Sequence, residues 1–132
     1  SDFVNEVKQI AGLQGVDAVF DPVGGETRAR SLELLRPLGQ IVALGNASGG
    51  ELAHQSNEIW LFNQSITGFN LGAYAMYDPV GVGQAAREAL QLLASREVRS
   101  EVHGIYPMED ASEAHRLLES GQTTGKLVLQ MG

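Results

Sequence analysis

The sequence predicts an α/β fold built around a parallel β-sheet. Short segments rich in β-branched and aromatic residues alternate with longer segments in which apolar residues recur at helical spacing. The segment 40–44 is continuously apolar after its first residue, which is typical of a strand buried in a parallel sheet. The alternating order favours strand–helix–strand units with right-handed crossovers.

Strands are predicted at 16–21, 40–44 and 65–70, and helices at 3–11, 26–36 and 57–62. Ser1 or Asp2 is expected to cap the first helix, whose apolar face is formed by Phe3, Val4, Val7, Ile10 and Ala11. A further helix is predicted after Asp78, because Pro79 is suited to a first helical turn. Its inward face is expected to carry Val82, Ala85, Ala86, Ala89, Leu90 and Leu93.

The last part of the chain predicts a strand at 102–106, a helix at 109–120 and a strand at 126–129. The helix has acidic residues in its first turn, Ala111, Ala114 and Leu118 on its inward face, and Gly121 at its end. These two strands are shorter and more polar than the others. We therefore expect this strand–helix–strand segment to belong to a separate sheet.

Composition narrows the classes of function. The 132 residues are 43% hydrophobic and carry a net charge of −7, so a nucleic-acid partner is not expected. No apolar run approaches the ~20 residues that span a bilayer, and no signal peptide is visible. The chain has no cysteine, which fits an expected cytoplasmic location. Its start at an apparent helix suggests a boundary inside a larger protein.

Glycine-bearing loops follow each of the first three predicted strands, at 21–25, 45–50 and 70–73. Ligands of open parallel sheets bind beyond the carboxyl ends of the strands, and glycine allows a ligand to approach the backbone closely. Ordinary turns also need glycine. From the residues alone, the chain is therefore an α/β domain with a candidate ligand crevice.

Other candidate sites are less well supported. Residues 121–127 have the wrong glycine spacing for a phosphate-binding loop, and Leu127 stands where a magnesium-binding hydroxyl is needed. His54, His103 and His115 are far apart in sequence, so surface or structural roles are favoured over a metal site. Ser48 lacks the neighbouring residues of a catalytic triad.

Several ordered segments resemble the medium-chain dehydrogenase/reductase superfamily. Residues 15–25 look like the fourth strand and following turn of its cofactor domain, and residues 35–45 are similar to the next helix end and fifth strand. The Gly-Asn-Ala-Ser-Gly loop at 45–49 resembles the loop of quinone oxidoreductases. Residues 110–129 resemble the closing segment of the superfamily.

The resemblance implies a partial Rossmann fold, in which the first three strands correspond to strands four to six. Residues 1–100 would be the C-terminal half of the dinucleotide-binding domain, and residues 101–132 a returning segment of the catalytic domain. The catalytic residues stay unknown, and no metal ligand is expected in this chain. The implied cofactor-binding residues are Pro22, Val23, Gly24, Leu44, Gly45, Asn46, Ser48, Phe69, Asn70, Leu71 and Lys126.

The resemblance further implies an oxidoreductase that transfers hydride from NADPH, or alternatively NADH, to a quinone or another α,β-unsaturated carbonyl. The glycine fingerprint for the pyrophosphate is absent, so an N-terminal half of the parent chain is expected as partner and the chain alone is expected to be inactive. A homodimer through strand 65–70 is also implied. A zinc-dependent alcohol dehydrogenase and a non-catalytic dimerisation or binding module remain alternatives.

Overall fold

The protein is represented by a computed structural model, which describes residues 2–51 and 56–132. Ser1 and His54 therefore lie outside the described residues. The chain separates into two compact units, Ser1–Pro79 and Val80–Gly132. The predicted domain boundary at residue 100 depends on the resemblance and stays a prediction.

The first unit contains a three-stranded parallel sheet, as the sequence predicts. Its strands are β1 (Val16–Asp21), β2 (Leu35–Ala43) and β3 (Ser65–Gly68), in the spatial order β1-β2-β3. The helices of this unit are α1 (Phe3–Ala11), α2 (Gly25–Leu32), α3 (Ser56–Leu61) and α4 (Leu71–Tyr77). Since the strands are parallel, their carboxyl ends lie along one edge of the sheet.

The core of this unit is centred on the middle strand. Ile41 is fully buried and lies in register with Val19 of β1 and Ile66 of β3. Leu34 and Leu35, before and at the start of β2, are also buried. Burial at the middle strand is what the apolar run at 40–44 predicts.

The prediction of a helix at 26–36 is wrong at its C-terminal end. α2 ends at Leu32, and β2 already begins at Leu35. The pairing moves from Val16 opposite Leu35 to Ala18 opposite Gln40, so β2 carries extra residues at this point. Such an irregularity accommodates Pro37, which lacks a backbone N–H, and the left-handed backbone of Leu38 (φ 67°).

The strand predicted at 65–70 is also too long, because β3 ends at Gly68. Asn70 instead caps α4, and its side-chain Oδ1 accepts a hydrogen bond from the backbone N–H of Ala73 (3.0 Å). The predicted strand therefore included the cap of a short helix that the sequence did not reveal.

At the amino terminus, α1 has the predicted bounds, but Asp2 does not cap it with a side-chain hydrogen bond. The Asp2 carboxylate accepts hydrogen bonds from the side chains of Asn5 and Arg30 instead. The Arg30 guanidinium lies over the ring of Phe3, 4.8 Å from its centroid. Of the predicted apolar face only Val4 is buried, and Ile10 is 88% exposed.

The second unit contains most of α5 (Pro79–Ala94), then β4 (Val102–Pro107), a short 3₁₀ turn (Met108–Asp110), α6 (Ala111–Glu119) and β5 (Lys126–Gln130). β4 and β5 form a two-stranded parallel sheet of their own, which confirms the prediction of a separate sheet. α5 starts at Pro79, as predicted. None of the helices in the described ranges is long and apolar enough to cross a bilayer.

The predicted burial of this unit is only partly correct. Ala114 of α6 is buried, but Leu118 on the same predicted face is 54% exposed. No residue of α5 is buried, and Leu90 on its predicted inward face is 64% exposed. Helical spacing therefore identified the two α-helices of this unit, although it did not predict how little of each helix the described residues cover.

Two isoleucines test where the core lies. We expect Ile41→Ala to lower the free energy of unfolding of this chain by about 2–5 kcal/mol, because it leaves a cavity in the middle of the sheet. Ile10→Ala removes the same atoms from an exposed site and should change the free energy of unfolding by no more than about 0.5 kcal/mol. Urea unfolding measures both, and equal losses would contradict this description of the core.

Candidate functional site

The loops that follow β1 and β2 extend the strand pairing beyond the sheet. The backbone N–H of Leu44 donates to the carbonyl oxygen of Asp21 (2.8 Å), and the N–H of Phe69 donates to that of Ala43 (2.9 Å). All three strands therefore remain joined where the chain leaves them. The predicted site residues at 44–48 and 69–71 follow directly from this joined edge.

The loop after β1 is hydrogen-bonded to the loop after β2. The N–H of Ala47 donates to the carbonyl oxygen of Pro22 (3.1 Å), and the N–H of Ser48 donates to that of Val23 (2.9 Å). These two bonds use the carbonyl oxygens of Pro22 and Val23 for contacts between the loops. Pro22, Val23 and Ser48 thus hold the two loops side by side.

Two glycines make this close approach possible. Gly24 has φ 76°, and a Cβ atom added there would collide with the Oδ1 of Asn46. A Cβ atom on Gly45 would lie 2.9 Å from the carbonyl oxygen of Pro22. Glycine at these positions therefore serves the packing of loop against loop.

Asp21, the last residue of β1, is buried, with only 2% of its side chain exposed. Its Oδ1 accepts hydrogen bonds from the backbone N–H groups of Val23 (2.8 Å) and Gly24 (3.0 Å). Its Oδ2 accepts from the Nε of Arg28 in α2 (2.5 Å). The carboxylate thus fixes the turn after β1 and the first turn of the helix that follows.

The same contacts decide the charge state of Asp21. Burial raises the pKa of this carboxyl, whereas the hydrogen bonds from Gly24 and Val23 and the hydrogen bond and charge of Arg28 lower it. The lowering contributions are together larger, so the pKa of Asp21 lies below its ordinary value. Asp21 is therefore ionised at neutral pH and stabilises the positive charge of Arg28.

Arg28 also reaches the loop after β2. Its Nη2 donates to the carbonyl oxygen of Gly45 (2.6 Å) while its Nε donates to Asp21. One guanidinium therefore connects the carboxyl ends of β1 and β2. This role of Arg28 could not be predicted from the sequence, because nothing in a lone arginine seven positions after an aspartate indicates such a connection.

An open cleft of about 400 Å³ lies at this edge of the sheet. It is lined by Arg28, Ala43, Leu44, Gly45, Asn46, Gly68, Phe69 and Asn70. Five of the predicted cofactor-binding residues belong to this lining, and Leu71 follows it as the first residue of α4. Pro22, Val23, Gly24 and Ser48 lie in the hydrogen-bonded loops, and Lys126 begins β5 in the second unit.

Hydrogen-bond donors remain available in this cleft. Among the described residues, no acceptor is paired with the backbone N–H of Gly45 or of Asn46. The Oδ1 of Asn70 accepts a hydrogen bond from the N–H of Ala73, and the Nδ2 of the same side chain is a further donor. The ring of Phe69 is tilted by 48° relative to the ring of Tyr74, with the two centroids 6.1 Å apart.

The alternative sites considered from the sequence take other roles. Of residues 121–127, the first five connect α6 to β5 and the last two belong to β5, and the Nδ1 of His103 accepts a long hydrogen bond from the N–H of Thr124 (3.4 Å). Within the residues that the structure describes, no three His, Asp or Glu side chains are grouped so as to hold a metal ion.

Comparison with known proteins now gives the family. Residues 1–129 match the model of a family described as zinc-binding dehydrogenase. The chain belongs to this family. The predicted membership of the medium-chain dehydrogenase/reductase superfamily is thereby confirmed.

Among curated relatives of this zinc-binding dehydrogenase domain, quinone oxidoreductase 1 of Escherichia coli (strain K12) is 31% identical over 136 residues. The 2-haloacrylate reductase of a Burkholderia species is 29% identical over 142 residues. A crystal structure of Escherichia coli quinone oxidoreductase complexed with NADPH matches with a TM-score of 0.77 and 32% identity, over 98% of this chain and 40% of that one. The predicted partial Rossmann-type fold is confirmed by this match.

The chain spans about two fifths of the length of these two relatives. The alignments cover 97% of this chain but only 40% of quinone oxidoreductase 1 and 39% of 2-haloacrylate reductase. Both relatives are oxidoreductases by name.

The ionised state of Asp21 predicts how stability depends on pH. Since the folded pKa lies below the ordinary value of about 3.9, the carboxylate stabilises the fold above that value, and this contribution is lost as pH falls through the folded pKa. Asp21→Asn should lower the free energy of unfolding at pH 7 by about 1.5–3 kcal/mol, since a hydrogen bond to a charged group is lost.

Denaturant unfolding of both proteins between pH 7 and pH 2 measures this difference, which should shrink in acid. Asp17→Asn is the matched control, because Asp17 pairs with Arg36 at an exposed position. We expect a smaller loss for the control. A difference between Asp21→Asn and the unsubstituted chain that stays constant down to pH 2 would contradict the assignment.

Proposed function

We propose that this chain supplies the nicotinamide side of a dinucleotide-binding domain in a longer oxidoreductase. That enzyme would transfer hydride from NADPH to a quinone or another α,β-unsaturated carbonyl. The observation that carries this proposal is the cleft at the carboxyl edge of β2 and β3, which combines apolar walls with backbone N–H groups that pair with no acceptor in the described part of the chain. Ligands of parallel α/β sheets bind at such edges.

The chemistry of this cleft fits a nicotinamide group. Phe69 and Leu44 are both partly exposed and can pack against a flat ring. The N–H groups of Gly45 and Asn46 can donate to the oxygen of a carboxamide, and the Nδ2 of Asn70 offers another donor. The carbonyls of Pro22 and Val23 are engaged by the neighbouring loop, so the loop geometry is fixed before a ligand arrives.

When bound, the nicotinamide cofactor supplies the hydride, and the protein's part is positioning. The loops around Gly45 and Phe69 would hold one face of the ring so that the acceptor meets the other face. The apolar walls would exclude water from this contact. No nucleophile in the chain is required for such a transfer, and we assign no catalytic residue.

The choice of NADPH over NADH is an analogy with the Escherichia coli relative, whose crystal structure is described as an NADPH complex. The choice of a conjugated carbonyl is an analogy with quinone oxidoreductase and 2-haloacrylate reductase. A zinc-dependent alcohol dehydrogenase remains the alternative enzyme. Metal analysis of the complete polypeptide would distinguish the two.

The two edge strands of the first sheet, β1 and β3, are the places where partners would pair. β1 has one neighbour, β2, among the described residues, and Phe20 on β1 is 69% exposed. We infer that the N-terminal half of the parent chain pairs with β1 and supplies the pyrophosphate-binding turn. β3 is the other edge, and a second copy would pair with it to form a homodimer.

The remaining implied features are also proposals. Lys126 would contact the cofactor from the returning catalytic segment, and the domains would divide at residue 100. The exposed edge at β3 also favours the rival proposal of a non-catalytic dimerisation module. A dimer is expected both for the oxidoreductase and for the dimerisation module, so sedimentation distinguishes them only together with an activity assay. A strict monomer would weaken the proposal of a dimerisation module.

The direct test is NADPH oxidation by the complete polypeptide with a quinone acceptor, next to the same assay on this 132-residue chain. We expect activity in the complete protein and none in the chain, because the chain contains only part of a dinucleotide site. If both are inactive while the chain still dimerises, the binding module becomes the better account.

Gly45 tests the location of the cofactor. A Cβ atom at this position would press on the carbonyl oxygen of Pro22, so a larger side chain should separate the two loops. We expect Gly45→Val to weaken NADPH binding by the complete protein about tenfold or more, equivalent to roughly 1.4 kcal/mol. Fluorescence titration measures this affinity.

Gly49→Ala is the control, because a Cβ atom there would meet nothing within 4 Å. Its left-handed backbone (φ 66°) makes some loss of stability expected, but little loss of affinity. Unchanged affinity in Gly45→Val would count against placing the cofactor at this loop.

A further inference from the structure

Arg28 holds the peptide group that joins Gly45 to Asn46. Its Nη2 donates to the carbonyl oxygen of that peptide at 2.6 Å, and its Nε is held by the buried carboxylate of Asp21 at 2.5 Å. The Arg28 side chain is 26% exposed and lines the cleft. Because both contacts come from one planar guanidinium, the position of the carbonyl is set by the position of Asp21.

Fixing this carbonyl also fixes a donor. In a trans peptide the C=O and the following N–H lie in one plane and point in opposite directions. The carbonyl of Gly45 points to Arg28, so the N–H of Asn46 points away from it. This N–H pairs with no acceptor among the described residues, although the next two residues, Ala47 and Ser48, both donate to the neighbouring loop.

We propose that Arg28 is a positioning residue that presets the Gly45–Asn46 peptide, so that the Asn46 N–H is presented to a carbonyl oxygen of the bound ligand. This inference rests on the proposed function, in which that oxygen belongs to the nicotinamide carboxamide. Without Arg28 the peptide can rotate, and part of the binding free energy is then spent on restoring its orientation.

Arginine is required by the geometry. The guanidinium donates in two directions from one rigid group, from Nε to Asp21 and from Nη2 to Gly45. A lysine ammonium keeps the charge beside Asp21, but its single nitrogen lies on a flexible stem and does not reproduce that fork. Arg28→Lys should therefore preserve the ion pair with Asp21 but lose part of the control over the orientation of the peptide.

The chain contains a matched control for Arg28. Arg36 of β2 forms an ion pair with Asp17 of β1, so it also joins these two strands, but nearer the start of β1. Arg36 does not line the cleft, and its second acceptor is the carbonyl of Pro37. Removing Arg36 breaks a comparable Arg–Asp contact without touching the Gly45–Asn46 peptide.

The experiment compares Arg28→Met, Arg28→Lys and Arg36→Met in the complete polypeptide. Affinity is measured by fluorescence titration for NADPH and for 2′,5′-ADP, which lacks the nicotinamide, and urea unfolding of each variant is measured in parallel. We expect Arg28→Met to weaken NADPH binding about tenfold or more while 2′,5′-ADP binding is unchanged. Arg36→Met should leave both affinities unchanged.

Three results would overturn the proposal. The first is an Arg28→Met affinity for NADPH within about twofold of the unsubstituted protein. The second is an equal loss for Arg28→Met and Arg36→Met, which would mean that Arg28 only stabilises the sheet. The third is an equal loss for NADPH and 2′,5′-ADP. If Arg28→Met does not fold, Arg28→Lys decides, since full NADPH affinity there would also overturn the proposal.

These results separate this inference from the proposed function. If the unsubstituted complete protein binds no NADPH, the proposed function fails, and with it the premise on which the role of Arg28 rests. If it binds NADPH and the Arg28 variants bind it equally well, only the role of Arg28 fails.

Discussion

A buried carboxylate at the end of β1 organises the loops of this protein. Asp21 accepts two backbone hydrogen bonds from its own turn and one from Arg28, and Arg28 continues the connection to the loop after β2. An unpaired carboxylate at this depth would be costly. The surrounding donors and the positive charge of Arg28 offset that cost, and in doing so they determine the geometry of two loops.

The parallel sheet explains why this arrangement faces a ligand cleft. β1, β2 and β3 all end at the same edge, and backbone hydrogen bonds continue from Leu44 to Asp21 and from Phe69 to Ala43 beyond the strands. Donors that the loops do not use among themselves, at Gly45 and Asn46, remain at this edge. The cleft is thus a consequence of strand direction together with the short, glycine-containing connections.

Much of the fold could be predicted from local sequence, because the signals are local. The apolar run at 40–44 identified the buried middle strand, and Pro79 marked the first turn of α5. The irregularity between Leu35 and Gln40 could not be predicted, since it depends on how β2 pairs with β1. The end of β3 was misjudged because Asn70 acts as a helix cap, a role that only the following turn reveals.

The candidate site was likewise predictable from the sequence only in part. Glycine-bearing loops after the strands indicated where a ligand would bind, and Leu44, Gly45, Asn46, Phe69 and Asn70 do line one cleft. The connection from Asp21 through Arg28 to Gly45 joins residues from a strand, a helix and a loop. Sequence spacing carries no signal for such a connection, and it became visible only with the side-chain contacts.

We propose that the carboxyl edge of β2 and β3 receives the nicotinamide end of a dinucleotide. A crystal structure of the complete polypeptide with NADPH tests it most directly. We expect the carboxamide oxygen to lie within hydrogen-bonding distance of the Asn46 N–H and the ring to lie against Phe69 or Leu44. A nicotinamide bound away from this edge, with the N–H groups of Gly45 and Asn46 still unpaired, would contradict it.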